Sequence, residues 1–327
     1  MEIKIPYYED LTRISNSNIG WFLSKGPAYL HKMLTDPPPE EKNYALERGS
    51  LIHMYILQPN EFKNTYIVWD KPKPSSAQQE KFCQELANTV EIEPNKAILS
   101  AYKEAYSTKG KTEENMLSEG SKIASTLKEY IGYLKDPERK QMISPGEYQM
   151  LEKIGMNMHN HKIARKIVWP FAPTEPEYKA YHEFHINWEY RDVNCKSLLD
   201  GLTLDFKNKK AIIYDLKTTQ KLWHFEDSID MYDYCRQLAY YSMAVDWYLE
   251  EECKEEPLDW TYEYYIVGID TTGSYEIRVF KVEPHMVQSR MDVIYNALDD
   301  IAWHQQNNKW DHSREYYEGD GSETLKL

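Results

Sequence analysis

The chain of 327 residues has no run of about 18 apolar residues, and without one no helix spans a bilayer. Met1 to Asp10 carry charges and a proline where a signal peptide has an apolar stretch, so the expected compartment is the cytoplasm. Cysteine is scarce: Cys83, Cys195, Cys235 and Cys253 are scattered, with no Cys-x-x-Cys spacing, and in a reducing compartment such residues are buried thiols. The absence of Gly-x-x-x-x-Gly-Lys-Ser/Thr removes ATP hydrolysis from the expected activities. No Gly-x-Ser-x-Gly elbow supports a serine hydrolase, and His159–Asn160–His161 lacks both the spacing and the base of a zinc protease. With Lys162, Arg165 and Lys166, that pair reads as a basic, solvated helix face. Positive charge is also in deficit. A net −14 argues against a surface coated in cations for nucleic acid, but it leaves room for lysines gathered in one channel.

Apolar residues at 41% and aromatics at 13% suffice for a packed core. No repeat or Gly/Ser linker divides the sequence, which predicts a single domain over 1–327. Its core segments are expected at about 43–66 and 177–308. Ser15 to Asn18 offer N-caps for a helix over Ile19 to Leu34, which Pro37–Pro38–Pro39 stops, and a second helix runs from Tyr44 to Leu57. From about 70 to 170 the pattern is polar and helical with proline breaks, a helical insertion; Ile123, Leu127, Ile131 and Leu134 make Ser121 to Leu134 amphipathic. Strands are expected over Tyr178 to Trp188, Cys195 to Phe206, Ala211 to Thr218, Thr261 to Ile269 and Tyr275 to Val282. Helices are expected over Met231 to Leu249 and Pro284 to His304, and residues 309–327 read as a mobile tail. Strands framed by helices make an α/β fold.

Two of these strands carry acids where the pattern calls for apolar residues. In Ala211 to Thr218 both faces are apolar until Asp215 and Lys217, two residues apart on one face. Lys207 to Lys210 is polar enough for a hairpin turn. If it centres on Asn208 and Lys209, Asp200 lies opposite Lys217 and Leu202 opposite Asp215, and the three polar groups share a face. A one-residue slip would remove Asp200. Buried carboxylates must be paired or metal-bound. A salt bridge to Lys217 and a metal site therefore compete, and the second acid favours the metal. Carboxylate oxygens suit Mg²⁺ or Mn²⁺, and two acids with a lysine match metal-assisted phosphodiester hydrolysis.

The run Asp200 … Asp215–Leu216–Lys217 resembles the PD-(D/E)XK nuclease signature, and its surroundings resemble the exonuclease VIII (RecE-like) branch of phages and prophages. Glu183, Trp188 and Lys196 precede Asp200 in that branch's order. Asp215–Leu216–Lys217–Thr218–Thr219 is followed by Phe225 and by Gln237 and Tyr241, similar to its Gln-x-x-x-Tyr helix. Gly49 to His53 resembles its Gly-x-x-x-His motif, and Ile14–Ser15–Asn16–Ser17 with Pro27–Ala28 its N-terminal segment. The resemblance implies a restriction-endonuclease-like core, a central mixed sheet flanked by helices. It implies two Mg²⁺ or Mn²⁺ ions on His53, Asp200, Asp215 and the Leu216 carbonyl. Catalysis would fall to Asp200, Asp215 and Lys217, with Glu183 supporting metal or water. Gln237 and Tyr241, one turn apart, would support the site or contact DNA. The implied activity is exonucleolytic digestion of duplex DNA ends for recombination, by a ring-shaped homo-oligomer partnering a single-strand annealing protein, in a bacterial host's cytoplasm if phage-encoded. Relatives with an iron–sulfur cluster use closely spaced cysteines, a pattern this chain cannot build.

Leu198 and Leu199 stand where the family has Arg and Pro, which removes a phosphate or structural contact. Asp233 and Cys235 replace its Gly and His. Two other activities fit the same motifs: an endonuclease or processing nuclease, and a non-catalytic DNA-binding protein with a vestigial site.

Overall fold

The computed structural model describes residues 5–39, 43–90, 93–170 and 177–323. The chain divides into two compact units, residues 1–59 with 150–327, and residues 60–149. The insertion expected over 70–170 thus differs from the second unit at both ends, because the segment after 150 packs with the sheet.

In the first unit, α1 (Asn16–Lys25) starts with a capping box. The Ser15 hydroxyl accepts from the Asn18 N–H, and Asn18 Oδ1 accepts from the Ser15 N–H at 2.8 Å. The single helix expected over Ile19 to Leu34 is two. Gly26 takes φ +82 and Pro27 cannot donate to the turn before it, so α2 (Pro27–Thr35) starts afresh. α3 (Tyr44–Leu57) matches its expected bounds, capped by the Asn43 side chain.

The second unit holds α4 (Pro59–Thr65), β1 (Tyr66–Val68), α5 (Ala77–Asn88), α6 (Pro94–Ala105), α7 (Glu113–Thr126), α8 (Lys128–Leu134) and β2 (Gln141–Ile143). β1 and β2 pair in parallel. The helices close on their own core of Phe82, Cys83, Ala101, Tyr102, Met116, Leu127 and Ile131. The amphipathic stretch from Ser121 is split at Leu127, which is buried between α7 and α8.

α9 (Pro145–Asn160) begins in the second unit and enters the first at Met150, and α10 (Lys162–Val168) follows; His161 caps α10 by accepting from Ala164 N–H, while Lys162, Arg165 and Lys166 are exposed. A five-stranded mixed sheet has the order β3 (Tyr178–Tyr190), β4 (Val193–Asp205), β5 (Lys210–Thr219), β6 (Thr261–Asp270), β7 (Ile277–Val282). All neighbours are antiparallel except β5 and β6, which are parallel. The crossover between those two carries α11 (Phe225–Met231) and α12 (Tyr234–Tyr248), and α12 packs across β3, β4 and β5. α13 (Pro284–Gln288), α14 (Met291–Asn307) and α15 (Arg314–Glu318) end the described fold. Trp310 is buried in the core, so the tail expected to be mobile from 309 is tied down at its start; residues 324–327 lie outside the described residues. Among the described residues no helix is long and apolar enough to cross a membrane.

β5 is covered on both sides. Ala211 and Ile213 join the core cluster that includes Leu238 and Ala239 of α12, while Tyr214 and Leu216, out of step with them, are buried as well. The β4–β5 hairpin has a different register from the expected one. Leu202 faces Ile213 and Asp205 faces Lys210, because Asp205 accepts from both the backbone and side-chain nitrogens of Asn208 and so fixes a wider turn over residues 206–209. The pairing moves by two residues in total, which preserves the face of every side chain.

Gly201 faces Tyr214, whose ring lies over it; a Cβ there would sit 1.9 Å from ring carbons. Gly201→Ala is therefore expected to lower stability by about 1–3 kcal/mol, measured by urea denaturation. The loss should shrink in a Tyr214→Ala background, where the ring is gone.

Candidate active site

Asp200 occupies the place in the sheet where backbone pairing stops on both sides. The β3–β4 ladder pairs His182 with Gly201 and Phe184 with Leu199 but omits Glu183 with Asp200. The β4–β5 ladder begins only at Gly201 and Tyr214. Glu183 has φ +47 inside a strand, a conformation that costs a non-glycine residue on the order of 1–2 kcal/mol. The freed Leu216 N–H donates to Asp200 Oδ2 at 2.6 Å. His53, from α3, brings Nδ1 to 3.7 Å from Asp200 Oδ1. One donor atom each from His53, Glu183 and Asp200 lies within 4.8 Å of the others.

Asp215 and Lys217 adjoin this cluster on β5. Lys217 Nζ is 2.5 Å from Asp215 Oδ2, yet the contact lacks hydrogen-bond geometry and leaves that buried oxygen with an ion pair alone. On α12, Gln237 Nε2 donates to the Tyr241 hydroxyl at 2.7 Å, and burial followed by the charges of Asp215 and Asp200 raises that hydroxyl's pKa. The structure thus gathers His53, Glu183, Asp200, Asp215, Lys217 and the Gln237–Tyr241 pair. The sequence-based metal set counted Asp215 and left Glu183 in support; in the structure the three-residue donor cluster contains Glu183 and does not contain Asp215. Leu216 enters the site through its N–H, which donates to the Asp200 carboxylate.

A family model described as a PDDEXK-like domain of unknown function (DUF3799) matches residues 21–318. The chain belongs to this family. The superfamily expectation and its restriction-endonuclease-like core therefore hold. A solved structure from Eubacterium rectale, described as a candidate exonuclease, is similar over 100% of this chain and 96% of that one, at 12% identity and a TM-score of 0.49. That likeness is too loose to transfer a role. No curated protein matches the sequence.

Within the PD-(D/E)XK frame, protons and neighbouring charges balance the buried acids. Burial drives the Glu183 carboxyl up to about 7, and the Asp200 charge adds to it. Burial also raises Asp215 to about 6 against the pull of Lys217. Asp200 stays below the usual carboxylate range: burial opposes ionisation, but His53, Lys217 and the Leu216 N–H outweigh it. His53 is raised, since Asp200 overcomes the burial that would discharge it, and Lys217 is raised through Asp215 and Asp200 in the same way. Two carboxylates and one imidazole within 4.8 Å of one another make a donor set that a divalent cation fits, with the Asp215 carboxylate beside it.

Sequence reasoning missed the strap that borders this site. Lys196, buried on β4, donates from Nζ to the carbonyls of Tyr7 and Asp10, each at 2.5 Å, and its ammonium lies 4.6 Å from the Tyr7 ring centroid. Ile14 extends the strap by pairing with Cys195, along a stretch of β4 that β5 does not reach. The Tyr7 ring meets those of Tyr8 and His185 edge-on. Loss of solvation at the hydroxyl, then the charges of Glu183 and Asp200, raise the Tyr8 hydroxyl's pKa, although the residue as a whole is exposed. Lys196 carried the signal, a lysine on an otherwise buried strand, but its partners lie nearly 190 positions away.

The Glu183 shift has a thermodynamic consequence. Between its ordinary 4.5 and about 7 the folded protein holds a proton that the unfolded chain has released, so this group lowers stability as pH rises through that window. In chelator, Glu183→Gln should gain thermal midpoint over wild type on going from about pH 5 to about pH 8. A difference that stays flat across that range would contradict the shift.

Proposed function

We propose that this chain is a divalent-metal-dependent deoxyribonuclease that digests duplex DNA from its ends. The observation that carries the reading is the convergence of His53, Glu183 and Asp200 beside the buried Asp215–Lys217 pair. His53, Glu183 and Asp200 would hold one ion. Asp215 with the Leu216 carbonyl would complete a second site, since a strand residue's N–H and C=O leave on the same edge. The imidazole in the set favours Mn²⁺ over Mg²⁺, though both suit the carboxylates. When bound, the metal supplies charge neutralisation at the phosphate and a more acidic water.

The chain's own groups do the rest. Lys217 keeps its proton because Asp215 and Asp200 stabilise the ammonium, so it faces the phosphate as a fixed positive charge for the negative charge that develops there. Glu183 would give up its proton to the ion and, as a carboxylate beside it, orient the attacking water. Tyr241, fixed by Gln237, braces the acidic pair from α12.

The order of motifs supports the exonuclease VIII branch, and with it the proposals of a ring-shaped homo-oligomer, a single-strand annealing partner and a role in recombination. End-labelled linear duplex and closed circular duplex, each with Mg²⁺, Mn²⁺ or EDTA, test the activity. The expected result is metal-dependent digestion of the linear form alone. Equal cutting of both forms would make the protein an endonuclease. In Asp215→Asn, cleavage should fall by at least about a hundredfold while DNA binding persists. Wild-type protein that cuts neither form would instead favour a vestigial, DNA-binding site.

A further inference from the structure

Two stacked rings lead outward from the Lys217 ammonium. Its Nζ lies 5.0 Å from the centroid of the Tyr234 ring, and the Tyr232 ring stacks on Tyr234 with centroids 5.8 Å apart and planes 23° from parallel. Tyr234 is half-buried and rests on Phe225 of the core. Tyr232 is 61% exposed. The outer ring is thus open to solvent while the inner one is anchored in the core.

The turn between the rings is held by design of its contacts. Asp233 takes φ +47, in the left-handed region. Its carboxylate accepts from the Arg236 N–H at 3.3 Å and from Arg290 Nε at 2.8 Å, and pairs with the Arg236 guanidinium at 3.6 Å. A strained residue fixed by three contacts keeps Tyr232 and Tyr234 in register with each other and with Lys217.

We infer that the Tyr232–Tyr234 pair is a stacking subsite for an unpaired nucleobase of the strand whose phosphate faces Lys217; the inference rests on the nuclease reading. A base inside a duplex is covered on both faces by its neighbours, whereas a base freed from its partner can lie on an exposed ring. Stacking requires no surface cations and tolerates any base. It therefore suits a chain of net charge −14, in which acids outnumber the cations that backbone phosphates attract. The cation beside the inner ring sets the phosphate's place, and the outer ring sets the base's place.

The test uses full-length protein carrying Asp215→Asn, so that DNA is bound and not consumed, and fluorescence anisotropy with a labelled single-stranded oligonucleotide. A matched oligonucleotide with abasic residues next to its end is the comparison. Tyr232→Ala added to this background should weaken binding of the natural oligonucleotide by about 5- to 150-fold and leave the abasic one unchanged. Tyr232→Trp should restore the preference for bases, which also shows that the alanine variant's loss is not a loss of fold. The inference is overturned if the alanine variant still distinguishes natural from abasic DNA, or if the background protein never does. Cleavage by the otherwise wild-type protein separates the two levels. If it digests DNA with Mn²⁺ while Tyr232→Ala changes nothing, the stacking subsite alone fails; if it neither binds nor digests any DNA, the nuclease reading fails and the subsite with it.

Discussion

The site depends on one carboxylate placed where a β-sheet stops pairing. Asp200 sits between Glu183, whose positive φ interrupts one ladder, and the beginning of the other ladder at Gly201 and Tyr214. An unpaired backbone position in the middle of a sheet is costly unless something else satisfies it. Here the Leu216 N–H turns to the Asp200 carboxylate, and the space opened between the strands admits His53 from α3 and the Glu183 side chain. Tyr214 fills the void over Gly201 that a side chain would otherwise occupy. The gap is thus a built feature of the sheet, framed by a glycine, a strained glutamate and the strap that Lys196 holds down.

Charge follows from the same placement. Burying Asp200, Asp215 and Glu183 together would be prohibitive with all three ionised and nothing opposing them. The protein distributes the burden: Lys217 and His53 supply positive charge, Glu183 keeps a proton to about 7, and Asp215 retains an oxygen without a hydrogen bond. Such an arrangement sacrifices stability where a binding or catalytic site requires it. A cation entering the cluster would relieve the repulsion and displace the protons, so that the ligand and the folded state would favour each other.

Much of this was legible in the sequence. The end of α3 followed from the stop at Gln58–Pro59, and the strands of the sheet from their apolar runs. The register of the hairpin was not, since Asp205 and its hydrogen bonds to Asn208 fix a turn that the polarity of Lys207 to Lys210 leaves open. Even so, Asp200 kept its face, because the shift was even. Positive φ values account for most of the remaining differences. Glu183 at φ +47 and Tyr275 at φ +52, which delays β7 to Ile277, leave no mark in a pattern of polar and apolar residues. Asp233 is the instructive exception. It stands where the family pattern has glycine, and it adopts the left-handed conformation that glycine would reach freely. Long-range contacts, such as Lys196 to Tyr7 or Trp310 to the core, have no local periodicity to announce them.

The central claim is that His53, Glu183 and Asp200 form a binding site for a divalent cation that competes with protons. Calorimetric titration of Mn²⁺ into chelator-stripped protein, in buffers of different ionisation enthalpy at about pH 6 and about pH 8, measures both the binding and the protons released. The account predicts binding that is tighter at the higher pH, more protons released at the lower pH, and loss of both signals in Asp200→Asn. Binding that Asp200→Asn leaves unchanged, or no binding by the wild-type protein at either pH, would contradict it.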